Sequence, residues 1–241
     1  MVTVKTARTT AAIPKRRQTD MTRENIIEAI KRDKIVSILR GVPKDKLIRT
    51  IEAIHEGGVN AVEITLDHTS ESAIANNLDC ITLAREHFGD EVAIGAGTVI
   101  DEDDAVRVSN AGALFVVSPN ADERAIKKAR ALGMVSLPGA YTPTEICAAY
   151  RWGADFVKVF PLEKATAAGY IKSLKGPLAH IPLIAVGGVS PENLDEVMRA
   201  GACGVGIGRN IAGAFVKDYD GDDFKKITAS AKAFTDILKK Y

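Results

Sequence analysis

The sequence is poor in the residues that carry most metal and disulfide chemistry. Its three cysteines, Cys80, Cys147 and Cys203, are scattered and odd in number. That excludes a disulfide framework and any zinc-type cysteine spacing, and fits reduced thiols in a cytoplasmic protein. The four histidines, His55, His68, His87 and His180, lie far apart in the chain. Only His68 stands beside an acid, Asp67, and one His with one Asp falls short of a metal cage. No metal and no cofactor are therefore expected. Net charge is almost absent, with 32 basic residues against 31 acidic. This argues against nucleic acid or a membrane surface as a partner. No apolar run approaches the roughly 18–20 residues of a membrane span. No GxGxxG opens the first strand–helix turn, and no Ser-His-Asp constellation is evident.

One local absence stands out. The first nineteen residues contain no acid and five bases: Lys5, Arg8, Lys15, Arg16 and Arg17. A transit peptide and an anion-binding arm are both open readings. The expectation is a disordered basic extension over residues 1–20, because so little of it is apolar. Residues 21–241 are then a single domain.

What is present is a rhythm. Helical patterns end at a glycine and an apolar strand follows, in "EGGVNAVEITL", "NAGALFVVSPN", "ALGMVSLPG", "RWGADFVKVFP" and "RAGACGVGIG". Each glycine suits a helix C-cap, and the runs after it are rich in Val, Ile and Phe. With "IVSIL", "EVAIGAG" and "IPLIAV" the expected strands are 35–39, 60–66, 92–96, 114–118, 134–137, 155–160, 182–186 and 203–207. Alternating strands and helices imply parallel pairing, and eight such units imply an α/β fold, a (β/α)8 barrel. A doubly wound open sheet accounts for the count less well. Residues 22–33 are expected to be a helix that closes the barrel bottom or precedes the first strand. Residues 222–239 are expected to form an outer helix packing Phe224, Ile227, Phe234, Ile237 and Leu238.

Side-chain alternation along strands then assigns directions. In "FVKVF", Phe156, Lys158 and Phe160 share one side while Val157 and Val159 face the helices. In "AVEITL", Val62, Ile64 and Leu66 face the helices, so Glu63 and Thr65 point inward. Two strands thus send opposite charges into the barrel. A buried pair that merely specifies the fold is one reading. The other is catalytic. Desolvation lowers a lysine pKa, a neutral amine attacks a ketone, and a nearby carboxylate moves protons.

The strand ends supply further candidates. "AVGGVS" places Gly187 and Gly188 after strand seven, and "GVGIGRN" places Gly208 and Arg209 after strand eight. These loops are where many barrels hold phosphate. Thr98 of "GAGT" and Arg40 of "LRG" lie at the same mouth. Pro138 and Gly139 of "LPGAYTPTE" keep the backbone close there, with Thr142 as a helix cap.

The motifs "VEITL", "GAGTV", "VSPN", "LPGAYTPTE", "VKVFPLE" and "VGGVSPEN", in that order, resemble the 2-keto-3-deoxy-6-phosphogluconate and 2-keto-3-deoxy-6-phosphogalactonate aldolases, also known as 4-hydroxy-2-oxoglutarate aldolases. The similarity runs from about Ile35 to Gly208. It implies that Lys158 forms a Schiff base and Glu63 handles protons. It implies that Arg40 and Thr98 hold the keto-acid end, and that Gly187, Gly188 and the strand-eight loop, Gly208 and Arg209, hold phosphate. Thr65, Pro119 of "VSPN", Phe160 and Val186 complete the expected substrate-binding set. Metal-free homotrimers and retro-aldol cleavage to pyruvate and glyceraldehyde 3-phosphate are implied as well.

This chain departs from the gluconate-type pattern at Asp67, where an arginine is usual, and at Val186, where threonine is frequent. Arg209 stands where a small residue is common. Two other function classes stay open at this point. One is another phosphate-handling barrel enzyme, such as an epimerase or synthase, with a non-covalent Lys158. The other is a non-catalytic protein that binds a sugar phosphate.

Overall fold

The computed structural model describes residues 21–213 and 218–241. The basic segment 1–20, expected to be disordered, lies outside the described residues. The strands are β1 (Ile35–Leu39), β2 (Ala61–Thr65), β3 (Ala93–Gly97), β4 (Phe115–Val117), β5 (Val135–Leu137), β6 (Gly139–Ala140), β7 (Val157–Val159), β8 (Leu183–Val186) and β9 (Gly204–Ile207). The helices are α1 (Arg23–Asp33), α2 (Leu47–Glu56), α3 (Glu71–Phe88), α4 (Glu102–Asn110), α5 (Glu123–Ala131), α6 (Pro143–Arg151), α7 (Ala167–Lys175), α8 (Pro191–Arg199), α9 (Arg209–Ala212) and α10 (Gly221–Leu238).

All pairings are parallel, in the order β5-β4-β3-β2-β1-β9-β8-β7-β6. The two ends of that list are consecutive in sequence. β5 and β6 are one strand interrupted at Pro138, so the nine segments count as eight strands and the sheet closes. Ser118 N–H donates to the Leu137 carbonyl at 3.3 Å on one side of the break. Lys158 N–H donates to the Pro138 carbonyl at 2.9 Å on the other. The fold is the (β/α)8 barrel.

Two expected boundaries are corrected. The strand at 134–137 continues past Pro138 as β6, because Pro138 lacks an N–H but still accepts through its carbonyl. The strand expected over 155–160 is shorter. Asp155 and Phe156 N–H groups both reach the Ser136 carbonyl, at 3.0 and 3.3 Å, so the ladder starts irregularly. At its far end the Phe160–Pro161 peptide is cis.

The glycine rhythm is a capping device. Gly58, Gly112, Gly133, Gly153 and Gly201 all have positive φ, between 78° and 105°. The residue after each donates back into the helix, as in Ala113 N–H to the Val108 carbonyl at 3.0 Å. This left-handed cap turns the chain from helix to strand within two residues. At the opposite ends, Ser70, Asp101, Asp122 and Thr142 accept backbone N–H bonds as N-caps.

Packing divides into two layers. Val62, Ile64, Val157 and Val159 belong to the cluster between sheet and helices. Phe115, Phe156, Val135 and Ile184 fill the barrel interior, joined by Ile26 and Ile30 of α1. The amphipathic α1 therefore plugs the bottom of the barrel. Arg23 on α1 pairs with Asp155, whose other oxygen accepts Ser136 N–H at 2.9 Å. The stripe on α10 packs as expected, with Ile227, Phe234 and Leu238 buried and Phe224 and Ile237 half-buried against them.

Candidate active site

Glu63 projects from the middle of β2 and Lys158 from the middle of β7, 2% and 7% exposed. Both point inward, as alternation requires. They line one narrow cavity with Val36, Val117, Leu137, Ile184 and Val186, of about 10 Å³. That is close to the minimum for a single water. The surroundings are apolar, so burial pulls the Lys158 ammonium below its ordinary 10.5 and pushes the Glu63 carboxyl above its ordinary 4.5. In each case the other group partly opposes the shift, and Arg40 also favours ionised Glu63 while disfavouring ionised Lys158. Among the described residues no direct ion pair joins the two. Glu63 Oε2 is buried without a hydrogen-bond partner. Each charge therefore offsets only part of the other's burial penalty. The Lys158 ammonium instead stands over the Phe160 ring, 4.6 Å from its centroid.

Room for Glu63 comes from β3. A Cβ at Gly97 would lie 1.7 Å from Glu63 Oε1. One pleat below, a Cβ at Gly95 would meet the Phe115 ring at 2.4 Å. The inner face of β3 is thus kept small so that a carboxylate and a phenyl ring can share the barrel centre. Gly97 was legible only as part of "GAGT". Its steric purpose needed the neighbouring strand.

The remaining candidates gather at the C-terminal mouth. Exposed Arg40 follows β1 and donates from Nη2 to Thr98 Oγ1 at 3.1 Å. Thr98 follows β3 with φ at +58°. Thr65 ends β2, buried on the same face as Glu63. Pro119 is exposed beyond β4, and its carbonyl would lie 2.3 Å from a Cβ at Gly139, which explains glycine in "LPG". Val186 ends β8 inside the cavity. Asp67, the departure from the gluconate-type pattern, is used locally: its Oδ1 accepts Thr69 N–H at 3.0 Å and its own N–H reaches Asn77.

Across the mouth, Gly187 and Gly188 have φ of +92° and +58°. A Cβ at Gly188 would meet Lys164 N at 2.3 Å. Asn193 Nδ2 braces this turn by donating to the Gly188 carbonyl at 2.9 Å. Glu192, held down to about 2 by Ser190 and Lys164, is paired with Lys164 at 3.1 Å. Gly208 differs from the pair, since a Cβ there finds only ordinary contacts at 3.6 Å or more. Arg209 is exposed beside it, and Asn210 ties this loop to the Val189 carbonyl at 2.7 Å.

Sequence reasoning missed Asp104. "DEDD" reads as a solvated helix start, yet Asp104 is buried. Only the N-cap at Asp101, three residues earlier, hinted that Asp104 turns back toward the barrel. Among the described residues no cluster of three or more His, Cys, Asp or Glu side chains could hold a metal ion. Among the same residues no helix is long and apolar enough to cross a membrane.

Comparison with known proteins bears on this arrangement. A family model described as "KDPG and KHG aldolase" matches residues 26–230. The chain is 35% identical over 200 residues to the 2-dehydro-3-deoxy-6-phosphogalactonate aldolase of Escherichia coli strain K12, spanning 77% of this chain and 94% of that one. It is 31% identical over 177 residues to the 2-dehydro-3-deoxy-phosphogluconate aldolase of Haemophilus influenzae, spanning 73% and 80%. A solved structure named "Native KDPGal structure" superposes with a TM-score of 0.75 at 32% identity, covering 86% of this chain and 94% of that one. With its barrel closed and its motifs in register, this chain belongs to the KDPG and KHG aldolase family.

Proposed function

We propose that this protein is a class I aldolase that reversibly cleaves a 2-keto-3-deoxy-6-phospho sugar acid, of gluconate or galactonate type, to pyruvate and glyceraldehyde 3-phosphate. One observation carries the reading: an amine driven toward neutrality and a carboxyl driven toward protonation line the same apolar cavity. A neutral Lys158 Nζ adds to the C2 ketone, and protonated Glu63 gives its proton to the departing hydroxyl, so that water leaves and an iminium stands opposite the Glu63 carboxylate. The iminium draws electrons from the C3–C4 bond. Glu63 takes the C4 hydroxyl proton as that bond breaks, so the aldehyde leaves and an enamine remains on Lys158. Protonation at C3 and hydrolysis then release pyruvate and the free amine.

The two anionic ends of such a substrate have separate places at the mouth. Arg40 and Thr98 suit the carboxylate beside C2. The Gly187–Gly188 turn, with the Gly208–Arg209 loop facing it, suits the phosphate. Thr65, Pro119, Phe160 and Val186 complete this reading as substrate-binding residues, with Val186 in the cavity itself. Fixing both ends aligns the C3–C4 bond with the iminium, which is where positioning lowers the barrier. The same reading includes a homotrimer, measurable by sedimentation equilibrium, and a cytoplasmic location that keeps Cys80, Cys147 and Cys203 reduced.

Borohydride reduction in the presence of pyruvate tests the proposal. A pyruvyl adduct on Lys158, absent in Lys158→Ala, is the expected result. An intact enzyme that turns over substrate without that adduct would overturn it. The ratio of kcat/KM for the two C4 epimers then assigns the substrate.

A further inference from the structure

Thr98 occupies a conformation that β-branched residues rarely adopt, with φ at +58°. Such backbone persists only where its surroundings hold it. Three groups surround it. Arg40 Nη2 reaches its hydroxyl at 3.1 Å. His68, from the loop between β2 and α3, places Nε2 2.9 Å from the Thr98 carbonyl. The same Nε2 lies 3.4 Å from Asp104 Oδ2 on α4. The Asp104 side chain is 5% exposed and also accepts Ile100 N–H at 3.1 Å. The Thr98 carbonyl can only accept, so its hydrogen bond selects the imidazole tautomer with hydrogen on Nε2, and the Asp104 carboxylate lies close enough to attract that N–H. Asp104 therefore orients His68, and His68 restrains the carbonyl of Thr98. Asp67, beside it in sequence, is committed to its own turn and leaves this place to His68.

We propose that His68, clamped by Asp104, is a positioning residue for the keto-acid end of the substrate: by holding the Thr98 carbonyl it keeps the Thr98 hydroxyl and Arg40 set for the carboxylate. This deepens the aldolase reading and rests on it. His68 itself touches neither Lys158 nor Glu63 among the contacts described, so its removal weakens capture of the carboxylate and leaves the bond-breaking step nearly intact.

Four variants of the full chain test this: His68→Ala, His68→Gln, Asp104→Asn and Arg40→Ala. Two measurements suffice, the pyruvate concentration giving half-maximal borohydride trapping and the steady-state kcat and KM for the cleaved sugar acid. His68→Ala is expected to raise both the trapping concentration and KM about tenfold, the effect of one lost hydrogen bond in such a site, with kcat within about threefold. Glutamine carries a donor where Nε2 was, so His68→Gln is expected to recover to within about threefold of the wild type. Asp104→Asn, which keeps the shape and loses the charge, falls between. An unchanged KM in His68→Ala overturns the proposal, and so does a His68→Gln variant as impaired as alanine. A merely structural residue would lower the melting temperature and the titratable site count while leaving KM unmoved. Arg40→Ala separates the two levels. A shift there without one in His68→Ala removes only the role of His68. No shift in either removes the assignment of the keto-acid end, and no trapping in the wild type removes the aldolase reading with it.

Discussion

Gly97 and Glu63 share one space: a Cβ on the first would lie 1.7 Å from Oε1 of the second. The catalytic candidate on β2 therefore depends on an absence on β3. Gly97→Ala is expected to leave the barrel folded while driving the carboxylate off its position. Turnover should fall about 100-fold or more, the usual contribution of a positioned general base. Circular dichroism and kcat measured on one preparation check this, and a variant with wild-type kcat would refute it.

Removing the carboxylate charge outright is the companion test. Glu63→Gln keeps the volume and the hydrogen-bonding shape. Its kcat is expected to drop about 10²- to 10⁴-fold. The limb of the pH–rate profile that belongs to a carboxyl raised above 4.5 should disappear.

Lys158 makes a prediction about pH and stability together. Its folded pKa lies below 10.5, so between that value and 10.5 the unfolded chain holds a proton that the folded chain does not. Stability therefore rises with pH across this window, and the burial penalty is fully present below it. Glu63 has the opposite sign. Its folded pKa lies above 4.5, so the stability tied to its neutral form is present below 4.5 and is lost as pH rises through the folded value. Lys158→Met should abolish trapping and remove the alkaline window. It should also stabilise the fold near neutral pH by about 1–2 kcal/mol, or several degrees in Tm. Thermal melts across pH 6–10 on both proteins decide it.

The paired glycines make a prediction about substrate class. Gly188→Ala places a side chain at φ +58° and 2.3 Å from Lys164 N. KM for the phosphorylated sugar acid is expected to rise about 10- to 100-fold, as for loss of charge-assisted contacts. KM for unphosphorylated 4-hydroxy-2-oxoglutarate should move far less. Equal losses on both substrates would place the phosphate elsewhere.

The bottom of the barrel is predicted to matter for stability and not for chemistry. Asp155 serves Arg23 of α1 and the Ser136 N–H at once. Asp155→Ala leaves both without their acceptor inside the plug. A loss of about 2–3 kcal/mol follows from leaving a half-buried guanidinium and a backbone N–H without that acceptor. Chemical denaturation measures it, while kcat per folded molecule should stay near that of the wild type.

Much of this architecture was legible before any coordinates. The glycine after each helix, the β-branched runs and the cap at Thr142 are local signals, and each is read by neighbours a few residues away. Strand alternation likewise assigned Lys158 and Glu63 to the interior, because direction follows from the pleat alone. Less legible were the continuation of β5 across Pro138 and the short start of β7. Both depend on hydrogen bonds to a strand nearly twenty residues distant.

Local patterning is enough to specify a parallel eight-fold barrel with an ammonium and a carboxylate turned into it, since hydrophobic period and capping act over one or two turns of chain. Distances were another matter. That Glu63 and Lys158 share a cavity without an ion pair, that Gly97 yields its space to the carboxylate, and that Asp104 lies buried behind His68 all depend on closure of the barrel. Closure brings together side chains remote in sequence, and their separations are set by how every strand packs at once.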